Sequence, residues 1–98
     1  MVKIVVSKAT AKNKKWKAVF FDDQGKKIKT TNFGDSRFSD YTQHGDKEKR
    51  RLYRERHRKD LKTGDYKKAG FLSYYILWGP TAKLSSNISA YKKRFNLK

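Results

Sequence analysis

The stretch 15-KWKAVFFDDQGKKIKTTNFG-34 decides the fold. Residues 15–21 (KWKAVFF) are rich in β-branched and aromatic side chains and are short enough for one strand. Asp22-Asp23-Gln24-Gly25 follows, a turn in which Gly25 supplies the positive φ of a type I turn plus bulge. KKIKTTNFG then reads as a second strand ending at Gly34, so the two pair antiparallel as a hairpin. Upstream, residues 2–8 (VKIVVSK) read as a third strand, joined through the polar loop ATAKNK. On one face stand Val2, Ile4 and Val6, then Trp16, Ala18 and Phe20, then Ile28 and Thr30. Lys3, Lys15, Lys17, Lys27 and Lys29 populate the other face, which for most of them reads as a solvated face with edge-protecting lysines.

Downstream of the hairpin the period changes. Residues 34–46 (GDSRFSDYTQHGD) have no period and read as an ordered loop pinned by Phe38 and Tyr41. Asp46 is a good N-cap for a helix running from 47 to about 60, with Glu55 and Lys59 as an i,i+4 pair. Residues 62–68 form a second loop. AGFLSYYILW (69–78) is apolar almost all round, the mark of a short buried helix, and Gly79-Pro80 stops it. Thr81 is placed to cap a last helix, whose Leu84, Ile88, Tyr91 and Phe95 form one narrow stripe. Lys92, Lys93 and Arg94 crowd its C-terminus, where cations suit the helix dipole. The last few residues are expected to fray. Three strands followed by three helices give an α+β domain, an antiparallel meander with helices packed on one face. It spans residues 1–98, with a core over about 2–95.

Composition bounds the function. The 98 residues include 26 Lys+Arg against 9 Asp+Glu, a formal net charge of +17. Mean hydropathy is −1.03, yet 14% of residues are aromatic, which separates the chain from disordered polyelectrolytes. Such a charge repels itself in a compact state, and a polyanion relieves it. There is no cysteine, hence no disulfide framework and no thiolate zinc site. No apolar stretch reaches the length of a membrane span. The N-terminal apolar run is too short for a signal peptide.

The basic residues are spread along the whole chain, which makes a wide surface positive rather than one pocket. The densest run is KEKRRLYRERHRK (47–59), where eight of thirteen residues are Lys or Arg and two are Glu. Wound as a helix, Lys47, Arg50, Arg51, Arg54 and Arg58 form one stripe, with Leu52, Tyr53 and His57 turned to the core. Arginine forks in a row suit phosphate oxygens. With Lys92, Lys93 and Arg94 they make the candidate nucleic-acid site. Nothing on the stripe marks base-specific readout, so binding without sequence preference is expected. Double-stranded DNA is the favoured partner. His44, Asp46, His57 and Asp60 are the only set resembling a catalytic or metal group, and they lack convergent spacing. No enzymatic activity, metal or cofactor is therefore expected. The aromatic residues are needed for the core, and Phe21 and Phe33, on the lysine-bearing sheet face, are the best candidates for base stacking.

From KAVFFDDQGKKIKTTNFGD through SDYTQHGDKEKRRLYRERHRKD and KAGFLSYYILWGPT to the final amphipathic helix, the chain resembles a family of short basic proteins of unknown function. These are encoded by large DNA viruses of eukaryotes, of the giant-virus and algal-virus kind. The resemblance covers roughly residues 14–95. Its most specific parts are Phe33-Gly34, Ser39-Asp40-Tyr41-Thr42, His44, Asp46, Arg50, Tyr53, Arg56-His57 and Ile76-Leu77-Trp78. No reaction comes with it, and no catalytic residue carries over. It implies a viral origin and a virion protein, with the host cytoplasm or nucleus as its place during infection. The anionic target is then the packaged genome or, alternatively, acidic faces of capsid proteins on which a minor capsid protein docks.

Overall fold

A computed structural model describes residues 1–98. Strands β1 (Lys3–Lys8), β2 (Lys14–Phe21) and β3 (Lys27–Asp35) form one antiparallel sheet in the order β1-β2-β3. A one-turn helix α1 (Tyr41–His44) leads into α2 (Lys47–His57), which tightens into a 3₁₀ segment, Arg58–Thr63. Helix α3 (Ala69–Leu72) runs on into a π-helical turn, Ser73–Leu77, and α4 (Leu84–Arg94) closes the chain. The α+β meander with helices on one face is the architecture expected from the order of segments.

The β2–β3 turn forms as its residues dictate. Gly25 has φ +81°, and the Asp22 carboxylate accepts from the Gln24 and Lys26 backbone N–H groups. One consequence of this turn reverses the expected facing of β3. Phe20 pairs with Lys29 and Phe21 with Lys27, so Ile28 is the extra residue of a bulge. Beyond it, Thr31 and Phe33 point to the core, and Ile28 stays 45% exposed. Thr30 is exposed as well. A shift of one residue exchanges the two faces of a strand. Phe33 is thus fully buried opposite Trp16 and offers no ring for stacking a base. Phe21, on the outer face, is half-buried.

The core lies between the sheet and the apolar segment of α3 with its π turn. Ile4, Ala18, Phe20 and Phe33 from the strands meet Leu72, Ile76 and Leu77, with Tyr91 closing one side. Gly34 allows this close approach. A Cβ there would stand 2.7 Å from Leu77 Cδ1, and its φ of +81° disfavours any side chain. Tyr66, Tyr75 and Phe95 continue the core as a cluster of rings at 5–6 Å centroid spacing.

Three local expectations are corrected. Thr81 does not cap α4, whose N-cap is Lys83 without a side-chain bond. Instead Asn87, fully buried in α4, reaches back to hold the loop. Its amide donates to Ile76 O (2.7 Å) and Thr81 O (2.8 Å), and its oxygen accepts from Thr81 N (3.0 Å) and Thr81 Oγ1 (2.8 Å). The C-terminus does not fray. Asn96 takes φ +56°, Leu97 N–H returns to Lys92 O (2.7 Å), and Leu97 is buried. That is a Schellman closure with its apolar contact. Lys98 then exchanges backbone bonds with Val2 and Ile4, adding one more pairing to the β1 edge. Finally, Glu55 pairs with Arg51 rather than Lys59, because Lys59 lies in the 3₁₀ segment, off the α-helical i,i+4 geometry.

Candidate nucleic-acid interface

Helix α2 begins as its sequence predicts. The Asp46 carboxylate accepts from the Glu48 and Lys49 N–H groups, and these bonds, that to Lys49 first, hold its carboxyl below the usual range. The helix ends with Arg54, Arg56 and His57 in its last turn, complementing the dipole. No residue of α2 is fully buried, so its packing rests on amphipathic side chains.

The expected division of its faces needs correction. Leu52, assigned to the core, is 44% exposed. The side that packs carries Arg50, Tyr53, Arg54 and His57, at i, i+3, i+4 and i+7. Tyr53 stacks on Trp78 with centroids 4.3 Å apart and planes 8° apart, and His57 stacks on Tyr53 at 4.1 Å. Burial first, then the nearby Asp60 carboxylate, push the Tyr53 hydroxyl up to about 12. Arg50 Nε donates to Gly79 O (2.6 Å), and Arg54 Nη1 to Tyr74 O (3.1 Å) and Trp78 O (2.7 Å). These carbonyls end the π turn, where helical backbone leaves acceptors without partners. Two members of the cationic stripe thus satisfy the end of a neighbouring helix, a use a helical wheel does not display.

Anchoring takes only one edge of each guanidinium. Arg50 and Arg54 line a concavity of about 550 Å³ with Tyr75, Pro80, Lys93 and Arg94. The Arg54 carbon lies 4.1 Å from the Tyr74 ring centroid, and that of Arg94 lies 4.7 Å from Tyr75. No carboxylate lines it. Burial, and then the charges of Arg50 and Arg94, hold the Arg54 guanidinium below its ordinary value. Four of the eight candidate residues therefore converge: Arg50, Arg54, Lys93 and Arg94. Arg51 is bound by Glu48 (2.5 Å) and Glu55 (3.2 Å) and has little charge to spare. Lys47, Lys92 and Arg58 lie outside the concavity. Sequence reasoning missed Tyr75 and Pro80 as its floor, since both read as core or stop signals.

A second, larger groove of about 920 Å³ opens on the other side of α2, toward the start of β2 and the end of β3. Several residues that carry the resemblance stated above meet there, among them Gly34, Asp40, Tyr53, Arg56, His57 and Trp78. Its wall is held by Lys15 Nζ, which donates to Asp40 Oδ2 (2.5 Å) and Gln43 Oε1 (2.6 Å). Asp40 in turn caps α1 through Thr42 N. His57 Nδ1 lies 3.0 Å from Asp60 Oδ2. The other histidine is employed separately: His44 Nδ1 accepts from Asp46 N–H, and its ring packs on Trp78. No group of three or more His, Cys, Asp or Glu residues is placed to hold a metal ion. No helix is long and apolar enough to cross a membrane.

A family of unknown function (DUF5754) matches residues 4–57, the sheet together with α1 and α2. The chain belongs to this family. No curated protein and no solved structure matches it.

Proposed function

We propose that this member of a family of unknown function binds double-stranded DNA without sequence preference, through the concavity between α2 and α4. The observation that carries the reading is the convergence of Arg50, Arg54, Lys93 and Arg94 around one hollow with no carboxylate in its lining. Arg50 and Arg54 are held by backbone carbonyls along one edge. Their remaining N–H groups are oriented before a phosphate arrives, which lowers the entropy cost of binding. Lys93 and Arg94 extend from the last turn of α4 and complete the clamp. The net charge of +17 supplies long-range attraction. The hollow holds no Asn or Gln to read adenine.

In this reading the protein is a virion component of a large DNA virus of eukaryotes, carries no enzymatic activity, and contacts the packaged genome. The alternative is a minor capsid protein whose same basic surface docks acidic capsid proteins. A gel shift with duplex DNA and heparin in competition separates them. Genome contact predicts that duplex DNA holds the protein against an equal charge of heparin, and that Lys93→Gln with Arg94→Gln weakens it. Equal displacement by heparin, with no effect of the double variant, overturns the reading and favours generic docking on acidic surfaces.

A further inference from the structure

The chain's most exposed large apolar side chain is not on the α2–α4 side. Phe38 is 69% exposed, on the rim of the larger groove. It is not on a loose loop. Arg37 grips Asp35 with two bonds (3.0 and 2.8 Å), Phe38 N–H donates to Asp35 O (3.1 Å), and Ser36 N–H donates to Asn13 O (3.0 Å). Two residues on, Asp40 is fixed by Lys15 and by its cap on α1. A ring in water on a tied loop is held ready for contact at little cost in entropy.

The charges around it are asymmetric. Two of the three carboxylates on the groove walls have cationic partners, Asp35 with Arg37 and Asp40 with Lys15, and Asp60 Oδ2 lies 3.0 Å from His57 Nδ1. Lys14, Arg56 and Lys59 also line the groove. All three are exposed, and none has an acidic partner within ion-pair distance. An exposed aromatic face beside free cations is the arrangement on which unpaired bases stack while their phosphates follow the charge. A duplex hides its base faces and has no use for such a ring.

We infer that this groove is a separate site for single-stranded nucleic acid, with Phe38 stacking one base and Lys14, Arg56 and Lys59 contacting the phosphates on either side. The inference rests on the reading that the partner is nucleic acid, but not on the α2–α4 concavity. It gives the protein two faces, one for paired and one for unpaired strands.

The test is fluorescence anisotropy of the full chain with a labelled oligothymidylate, the matching oligouridylate, and a duplex of the same length. Phe38→Ala should weaken the single strands by about 5- to 160-fold, the effect of losing one stacked base, and leave duplex affinity unchanged. Arg56→Gln with Lys59→Gln should flatten the salt dependence for single strands only. Lys93→Gln with Arg94→Gln should do the converse. In Phe38→Trp the added indole should be quenched by oligothymidylate beyond any change in the parent protein. Phe38 is exposed, so its variants should fold, and circular dichroism checks this. Equal oligothymidylate affinity for Phe38→Ala and the parent overturns the inference while leaving duplex binding intact. Absence of binding to every nucleic acid overturns both readings together.

Discussion

Replacing Asn87 by alanine should be strongly destabilising, although the residue carries no charge and touches no candidate site. Its amide makes all four hydrogen bonds available to it, two donated and two accepted. Truncation leaves Ile76 O without a donor in the interior, which costs about 1–3 kcal/mol. The Thr81 groups are exposed enough for water to replace Asn87, so each lost bond there costs only about 0.5–1 kcal/mol. With three such bonds to Thr81 the sum is roughly 2.5–6 kcal/mol, a large part of the about 5–15 kcal/mol that stabilises a domain of this size. Asn87→Asp sharpens the test. It keeps the shape and the acceptor facing Thr81, but it turns an oxygen toward two carbonyls, so its loss should equal or exceed that of alanine. Urea denaturation followed by circular dichroism measures both. A loss below about 1 kcal/mol for Asn87→Ala, under half of the lower end of that range, would refute the reasoning. So would an aspartate milder than alanine, because the amide donors would then not be what holds the π turn to the loop before α4.

Two further predictions concern the framework. Lys15→Met strands the buried Asp40 carboxylate, whose side chain is 3% exposed, and should cost about 3 kcal/mol. Adding Asp40→Asn should recover part of that loss, and the same denaturation experiment reads the coupling. Tyr53 has its hydroxyl raised from 10 to about 12 by burial, then by Asp60. A raised acid favours the fold in its neutral form. Its contribution is therefore complete below pH 10 and is lost as pH climbs through about 12. Tyr53→Phe retains the stack on Trp78 without the titration, so the parent protein should lose more stability than the variant between pH 10 and 12. Parallel curves would contradict this.

Much of the architecture was legible because local signals agreed. The Asp22–Gly25 turn, the Asp46 cap, the apolar stretch at 69–78 and the Gly79-Pro80 stop each formed as read. The facing of β3 was not legible, because one bulged residue after Gly25 moves Ile28 off the ladder and puts Phe33 inside. On α2, a wheel identifies a cationic stripe but does not say which way it turns. Guanidinium groups bury well against carbonyls at a helix end, and Leu52 was left outside as a result. Asn87 gave no signal in a stripe defined by apolar residues. The convergence of α2 and α4 depends on the π turn and the loop that Asn87 holds, and neither follows from periodicity. Phe38 was expected to pin its loop and does not: it is 69% exposed, and Tyr41, the Arg37–Asp35 pair and the backbone bonds of Ser36 and Phe38 hold the loop instead.

The salt dependence of duplex DNA affinity tests the central claim most directly. Four converging cations predict a log–log slope of about −3.6, and Lys93→Gln with Arg94→Gln should make it shallower by about 1.8. Lys26→Gln with Lys27→Gln removes the same charge at the β2–β3 turn, away from the concavity, and should leave the slope unchanged. Equal slopes for the two double variants, or a parent slope near zero, would contradict the assignment of the duplex site to the α2–α4 concavity.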